Sequence, residues 1–400
     1  MKRSDSIKEA YRDGSGFKYF LLCILITGLS YGLYKGMLDN FLAEIVGMGE
    51  MDRGVTEFFR ELPGILLVFI LAAFYMLSAE SLYKVGAVIM LAGMAMHAAL
   101  PPTKVLATLA ICTYSLGEHI QLGMKSTIGL EYAKPGKGGT VLGYLSSVGQ
   151  IGTLAGYLVI VVVFSAFAAN QPYNLFFVLS AVLAGVSMVC AMGIRGNSQT
   201  DETKRRFYFH KKYNKYYMLE MFYGARKQVF FTFGPYVLIL FYGASAATVS
   251  LLHAICSVAG FFLSPVVGKI IDRVGYKVVM VADTLILVIV CFFYGFAHEI
   301  FPMDVAFIVC CINYVLDSII SLASMASNVY VQDLADSPAE VKATISTGVS
   351  INHVITIFIA LFGGWIWQAL GIKTLFMLSA VLGLCNSAYA ATIKVKKQVS

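Results

Sequence analysis

"YGLYKGMLDNFLAEIVG" (31–47) and "YGARKQVFFTFGPYVLILFYG" (223–243) decide how this chain reads. Tyr31, Gly32 and Lys35 recur as Tyr223, Gly224 and Lys227, at a constant offset of 192. Each stretch lies in the first long apolar run of its half of the chain. A lysine therefore returns at the same place in two segments where charge is costly in hydrocarbon. A second echo sets "YSL" (114–116) against "YVL" (314–316), which brings Glu118 and Asp317 within one residue of equivalence. A third sets "LYKVG" (82–86) against "IDRVG" (271–275).

Composition says what kind of protein holds this repeat. Of 400 residues, 58% are hydrophobic and only 13% charged, with a mean hydropathy of +0.75. Soluble domains carry about a quarter charged residues. A membrane-crossing helix needs about 20 mostly apolar residues. Apolar runs lie near 17–43, 55–78, 82–102, 104–129, 140–168, 172–194, 213–241, 245–267, 277–298, 303–329, 343–368 and 372–393. The expected fold is an all-α membrane protein with twelve transmembrane helices in two six-helix bundles. A repeat of this kind relates the bundles by a pseudo-two-fold axis along the membrane normal and places substrate sites near the midplane between them. The expected domains are an N-terminal bundle over 1–194, a cytoplasmic linker over 195–212 and a C-terminal bundle over 213–400.

Lys and Arg sort unevenly between alternate loops. With the N-terminus cytoplasmic, 22 fall on the cytoplasmic side, against Arg53, Lys104 and Lys373 on the other. This bias predicts a multi-pass protein of the plasma (inner) membrane with both termini in the cytoplasm. Topology also accounts for the net charge of +7, so no nucleic-acid partner is expected. The opening "MKRSDSIKEAYRDGSG" (1–16) has no apolar core or cleavage site, so no cleaved signal peptide is expected. All eight cysteines lie in apolar runs without metal-ligand spacing and read as small buried hydrophobes.

The loop "GKIIDRVGYKVVM" (268–280) resembles the signature loop of the major facilitator superfamily, through Gly268, Asp272, Arg273, Gly275 and Lys277. The first-half copy, "AESLYKVGAVIM" (79–90), departs from the pattern. Tyr83 replaces the aspartate, Lys84 and Gly86 survive, and Glu80 is the nearby acid. The resemblance extends over the chain in length, helix number, basic central linker and terminus placement. It is closest to a loosely characterised group of bacterial permeases, on "TEFFRELPG" (56–64), "YGARKQVF" (223–230) and "SINHV" (350–354). It implies a secondary transporter working by alternating access, with the signature loop as a gate.

Ionisable residues within spanning helices are functional candidates by default. Tyr31, Lys35 and Asp39 share one helix face. Lys35 either pairs internally with Asp39 or lines a central cavity, and its recurrence as Lys227 without a following acid favours the cavity. Arg226 and Lys227 are about 100° apart on the helix, so they face differently. Lys227 is assigned to the cavity, and Arg226 to an acid on a neighbouring helix or to the solute. The expected solute-binding set is Lys35, Lys227, Tyr31, Tyr223, Asp39, Gln121, Gln150, Asn352 and Arg226. Glu118 is the first candidate to carry a coupling proton, because a carboxylate in a low-dielectric cavity favours its protonated form. Asp317 and His353 follow. Gating candidates are Gly268, Asp272 and Arg273 on one face, and Glu57, Arg60 and Glu61 on the other. His97 and His253, alone in apolar helices, read as structural. Gly149, Gly152 and Gly156 are spaced for close helix packing.

The expected function is secondary active transport of a small anionic or zwitterionic organic solute, coupled to protons or another ion. An exporter of multiple drugs or lipophilic compounds is the alternative, kept open by 28 Phe and 17 Met. A non-transporting sensor on the same fold is a third class. No nucleotide-binding loop, zinc spacing or nucleophile elbow occurs, so neither enzyme activity nor a cofactor is expected. The lipid bilayer and the solute are the expected partners of a monomer.

Overall fold

The computed structural model describes Tyr11 and residues 15–74, 76–134, 137–168, 170–194 and 209–394. Most of the expected linker, 195–208, lies outside the described residues. Those residues contain helices and no strand; one isolated bridge joins Tyr11 to Ala133.

The first part of the chain folds into α1 (Ser15–Asn40), α2 (Glu50–Ala73), α3 (Ala79–Ala99), α4 (Lys104–Tyr132), α5 (Gly138–Ala166) and α6 (Tyr173–Met192). The second part folds into α7 (Asn214–Tyr236), α8 (Ala246–Val274), α9 (Tyr276–Ile300), α10 (Met303–Ile320), α11 (Met325–Leu334) and α12 (Pro338–Ala391). A 3-10 turn, Ser321–Ser324, joins α10 to α11. Within α12 the helical path breaks at Gly371, with φ 84° and ψ 165°, a backbone that L side chains rarely adopt.

Local chemistry sets many of the boundaries. The side chains of Ser78, Thr103 and Ser337 accept hydrogen bonds from the backbone N–H groups of Ser81, Leu106 and Glu340, capping α3, α4 and α12. Pro101 and Pro102 follow α3 and stop it. Both leading helices end alike. α1 runs into a π-helical turn, Phe41–Ile45, and then Gly47 at φ 69°. α7 runs into a π-helical turn, Val237–Phe241, and then Gly243 at φ 70°. In α7 the disturbance has a visible cause, because Pro235 removes one backbone donor just before the π turn.

Eight stretches among the described residues are long and apolar enough to cross a membrane: Gly16–Ile45, Ala79–Ala99, Gly138–Ala166, Tyr173–Met192, Ala246–Val274, Tyr276–Ile300, Met303–Leu334 and Ala343–Ala391. α2, α4 and α7 are absent from this set. They carry Glu57, Arg60 and Glu61, then Glu118 and Lys125, then Glu220, Arg226 and Lys227. The helices that fail on composition thus hold part of the ionisable candidates, while Lys35, Asp39, Asp317 and His353 sit on helices that pass.

The chain divides into two compact units. Unit 1 comprises Met1–Gly47, Phe59–Lys204 and Ser245–Ala254; unit 2 comprises Met48–Phe58, Arg205–Ala244 and Ile255–Ser400. In unit 1, Phe17, Phe20 and Ile24 of α1 pack with Tyr83, Ile120, Met124, Ile128 and Leu145. In unit 2, Tyr213, Tyr216 and Tyr217 pack with Ile271, Tyr276, Met280 and Tyr330. Apolar side chains also point outward. Leu175, Val182 and Val189 of α6 are 62%, 56% and 67% exposed at seven-residue spacing. Such a continuous apolar stripe suits hydrocarbon rather than water.

Glycine permits the closest helix packing. A Cβ built on Gly156 in α5 would stand 2.6 Å from the Leu29 carbonyl oxygen of α1 and 2.7 Å from the Leu33 nitrogen. Gly32 of α1 lies against the backbone of Thr153 and Gly156, and Gly152 against Leu25 and Leu29. The glycine stripe expected to pack closely does so against α1.

Candidate functional site

Unit 1 contains a polar cavity of about 230 Å³. α1 contributes Thr27, Gly28 and Tyr31; α3 contributes Tyr83 and Met90; α4 contributes Tyr114, Glu118, Gln121, Leu122 and Lys125; α5 contributes Ser146, Gly149, Gln150 and Thr153. The spacing of Glu118, Gln121 and Lys125 puts all three on one face of α4. Glu118 and Lys125 are two turns apart, about 10 Å of helix rise. The hydroxyl of Tyr114 donates to Glu118 Oε1 at 3.4 Å, and Gln121 Nε2 donates to the Tyr83 carbonyl at 3.4 Å. Gly28 and Gly149 line the wall where side chains would narrow it. The cavity thus offers a carboxylate, an ammonium, two amides and three phenols to one occupant.

Four residues expected at a solute or coupling site meet in this cavity: Tyr31, Glu118, Gln121 and Gln150. Lys125, on the same face of α4, joins them. Lys35 and Asp39 do not line it. Lys35 Nζ donates to Asp39 Oδ2 at 2.8 Å, both side chains being buried on α1. Nearby, His97 Nε2 and Tyr34 Oη share a hydrogen bond at 3.0 Å between buried rings, which suits a structural histidine.

Unit 2 arranges its charges differently. Arg226 is fully buried, and its Nη2 donates to Asp283 Oδ2 of α9 at 3.2 Å. Its guanidinium also lies 4.9 Å from the centre of the Tyr223 ring. Tyr223 in turn donates to the Ser321 carbonyl at 3.0 Å. Lys227, the next residue, is exposed, with its Nζ 6.0 Å from the same ring. Asp317 is buried, within electrostatic reach of Arg226 and Lys227, and its Oδ1 has no hydrogen-bond partner among the described residues. Glu220 accepts from Ser327 Oγ at 2.7 Å, and Asn352 Nδ2 donates to the Glu220 carbonyl at 3.3 Å. His353, half-buried on α12, accepts from Thr356 Oγ1 through its backbone carbonyl at 2.9 Å. The sequence reading missed Asp283. The signal was there, since it is the single acid in the apolar run "KVVMVADTLILVIV" (277–290).

The expected gating residues separate into two types. Asp272 and Arg273 are exposed in the last turn of α8, a few residues after Gly268 and just before Gly275 at φ 86°. Glu57 is fully buried, accepting from Arg53 Nη1 at 2.8 Å and from Gln228 Nε2 at 2.9 Å. Arg60 pairs with the adjacent Glu61. The Arg53–Glu57 pair and its link to Gln228 were not foreseen, because Arg53 lay before the apolar run and read as a loop charge.

Residues 216–398 match the family model described as Major Facilitator Superfamily. A search of curated proteins found no match by sequence. Solved structures share the fold over nearly the whole chain. A mutant of the nucleoside transporter NupG superposes with TM-score 0.76 at 16% identity, covering 95% of this chain and 100% of that one. A POT family transporter in complex with 5-aminolevulinic acid gives 0.73 at 13%, covering 96% and 97%. A bacterial homolog to the human lysosomal transporter Spinster gives 0.69 at 11%, covering 93% and 95%.

Proposed function

We propose that this chain is an integral membrane protein of the major facilitator superfamily and a secondary transporter of a small zwitterionic or anionic organic solute. The observation that carries the reading is the cavity of unit 1, where α4 presents Glu118 and Lys125 on one face. A carboxylate and an ammonium set apart along a helix match the two ends of a zwitterion. Tyr31, Gln121 and Gln150 supply hydrogen bonds between them. At about 230 Å³ the space suits a solute of few heavy atoms, since pockets for drug-sized ligands start at about 300 Å³. The fold relative bound to 5-aminolevulinic acid, a molecule with an amine and a carboxylate, is in keeping with this class.

The proposed topology has twelve spans. α1 to α9 supply nine, α10 and α11 together form the tenth, and the break at Gly371 divides α12 into two. Both termini are cytoplasmic on the charge bias of the loops. The two halves alternate access to the solute, with Glu118 as the proton-carrying group and Asp317 and His353 as further candidates. Lys227 and Tyr223 are the contribution of α7 to the solute path, with Asn352 beside them. Arg226 serves through Asp283. Gly268, Asp272 and Arg273 act at the cytoplasmic gate, and Glu57, Arg60 and Glu61 at the opposite one. Lys35 and Asp39 act as a pair.

The experiment is a thermal-shift screen of purified protein against amino acids, small carboxylates and nucleosides, followed by proteoliposome uptake of the hits. The expected result is stabilisation by compounds carrying both an amine and a carboxylate. Lys125→Gln and Glu118→Gln should each weaken apparent affinity by about tenfold or more, as loss of a charge-assisted contact implies. Hits confined to neutral lipophilic compounds, unchanged in both variants, would contradict the proposal.

A further inference from the structure

Unit 2 contains a second cavity, only about 20 Å³ in volume, between α7, α9, the Ser321–Ser324 turn, α11 and α12. That volume holds one water-sized occupant. Its oxygen-bearing walls are Glu220, Asp283, Ser324, Ser327 and Asn386. We propose that this cavity binds one monovalent cation of sodium's size, held by oxygens of Glu220, Asp283, Asn386 and the two serines.

Three observations converge on it. The first is charge. Glu220, Asp283 and Asp317 are buried carboxylates, whereas Arg226 is the buried cation beside them. The cavity wall itself holds two carboxylates, Glu220 and Asp283, and no cation among the described residues. Arg226 pairs with Asp283, so one positive charge beside Glu220 balances the wall. The second is an orphaned acceptor. Asn386 is 5% exposed, lines the cavity, and its Oδ1 has no hydrogen-bond partner among the described residues. The third is the donor set: hard cations choose carboxylate, amide and hydroxyl oxygens, which Glu220, Asp283, Asn386, Ser324 and Ser327 supply, while Met280 is the one sulfur-bearing side chain among the described residues of the wall. A divalent ion would overshoot the deficit by one charge. Water would leave it open. The existing bonds leave acceptor capacity for the ion: Glu220 accepts from Ser327 at Oε1, and Asp283 accepts from Arg226 at Oδ2 and from Thr284 Oγ1 at Oδ1, while each carboxylate has about four lone-pair sites. The site stands without reference to which solute the chain carries.

The test needs no solute. Purified full-length protein is melted in NaCl, with choline chloride replacing it stepwise at constant ionic strength, at pH 6 and pH 8. A saturable rise in melting temperature with sodium, absent with choline, is the expected result. In Asn386→Leu the half-saturating sodium concentration rises by about tenfold or more; Asn386→Asp keeps the oxygen and retains the response. Equal melting in sodium and choline overturns the proposal, even should no variant fold. So does stabilisation by acid alone with indifference to sodium, which would make the positive charge a proton on Glu220. A full sodium response in Asn386→Leu overturns the assignment of the site.

Discussion

The leading helices of the two halves, α1 and α7, start from one motif and end in one way, yet spend their charges differently. Both carry Tyr-Gly-x-x-Lys, and both finish in a π-helical turn followed by a glycine at φ near 70°. In α1 the lysine is buried and neutralised within its own helix by Asp39. In α7 the lysine is exposed, and the buried cation is its neighbour Arg226, whose counter-charge comes from α9. The glycines differ in the same sense. Gly32 meets backbone of α5, while Gly224 meets the side chain of Asn352 on α12. A repeat therefore preserves backbone geometry longer than it preserves the electrostatic solution. One half has closed its charges locally and opened a polar cavity elsewhere. The other pairs its buried Arg226 with a carboxylate on a separate helix.

This contrast can be broken at its pairs. Asp283→Ala removes the ion-pair partner of buried Arg226 and should destabilise by about 3–5 kcal/mol, seen as a large loss of melting temperature and of monodisperse yield. Asp39→Ala, which removes the acid one turn from Lys35, a residue 9% exposed, should cost distinctly less. Equal effects would mean the two halves do not differ as described. Replacing Arg226 and Asp283 together by Met and Leu should recover most of the loss.

The glycines come next. Gly32→Ala pushes a methyl into the carbonyl of Thr153 and the Cα of Gly156, backbone that cannot step aside. Its cost should sit at or above the upper end of the usual range for overpacking, about 1–3 kcal/mol. Gly224→Ala meets the amide of Asn352, with Nδ2 at 2.7 Å from the built Cβ, and that side chain can rotate. Its cost should fall at the lower end. Melting curves of the two variants side by side give the ordering.

The smallest effect is expected at the surface. Lys212 donates to Asp336 Oδ2 at 2.7 Å, and this bond raises its pKa above the usual 10.5. A raised lysine pKa stabilises the fold in full below the unfolded value and loses that contribution as pH climbs through the folded value. Lys212→Met should melt almost with the parent at neutral pH, as exposed pairs contribute little. Whatever difference remains should shrink in high salt and disappear as pH climbs through the folded pKa of Lys212.

Much of this was legible before any coordinates. The repeat at Tyr31 and Tyr223 marked the leading helices, the apolar runs marked the elements, and Gly149, Gly152 and Gly156 marked the tight packing of α5 on α1. Glu118, Gln121 and Lys125 were readable as one face because helical periodicity is a local property. What sequence could not supply was partnership across helices. Asp283 for Arg226, and Arg53 with Gln228 for Glu57, are pairings fixed by packing, with no spacing rule to announce them. Lys35 was ambiguous for the same reason: its nearest acid is local, and only packing decides whether the pair closes. Gln150, named in the expected solute-binding set, lines the cavity with Glu118.

The central claim is that the unit 1 cavity holds both ends of a small charged solute, and one measurement addresses it most directly. Proteoliposomes with an imposed pH gradient are assayed for uptake of a hit from the ligand screen, with parent protein, Glu118→Gln and Lys125→Gln in parallel. The account predicts gradient-driven uptake by the parent, loss of the pH dependence in Glu118→Gln, and at least a tenfold rise in KM in Lys125→Gln. Uptake that follows the gradient equally in all three, with unchanged KM, would contradict it.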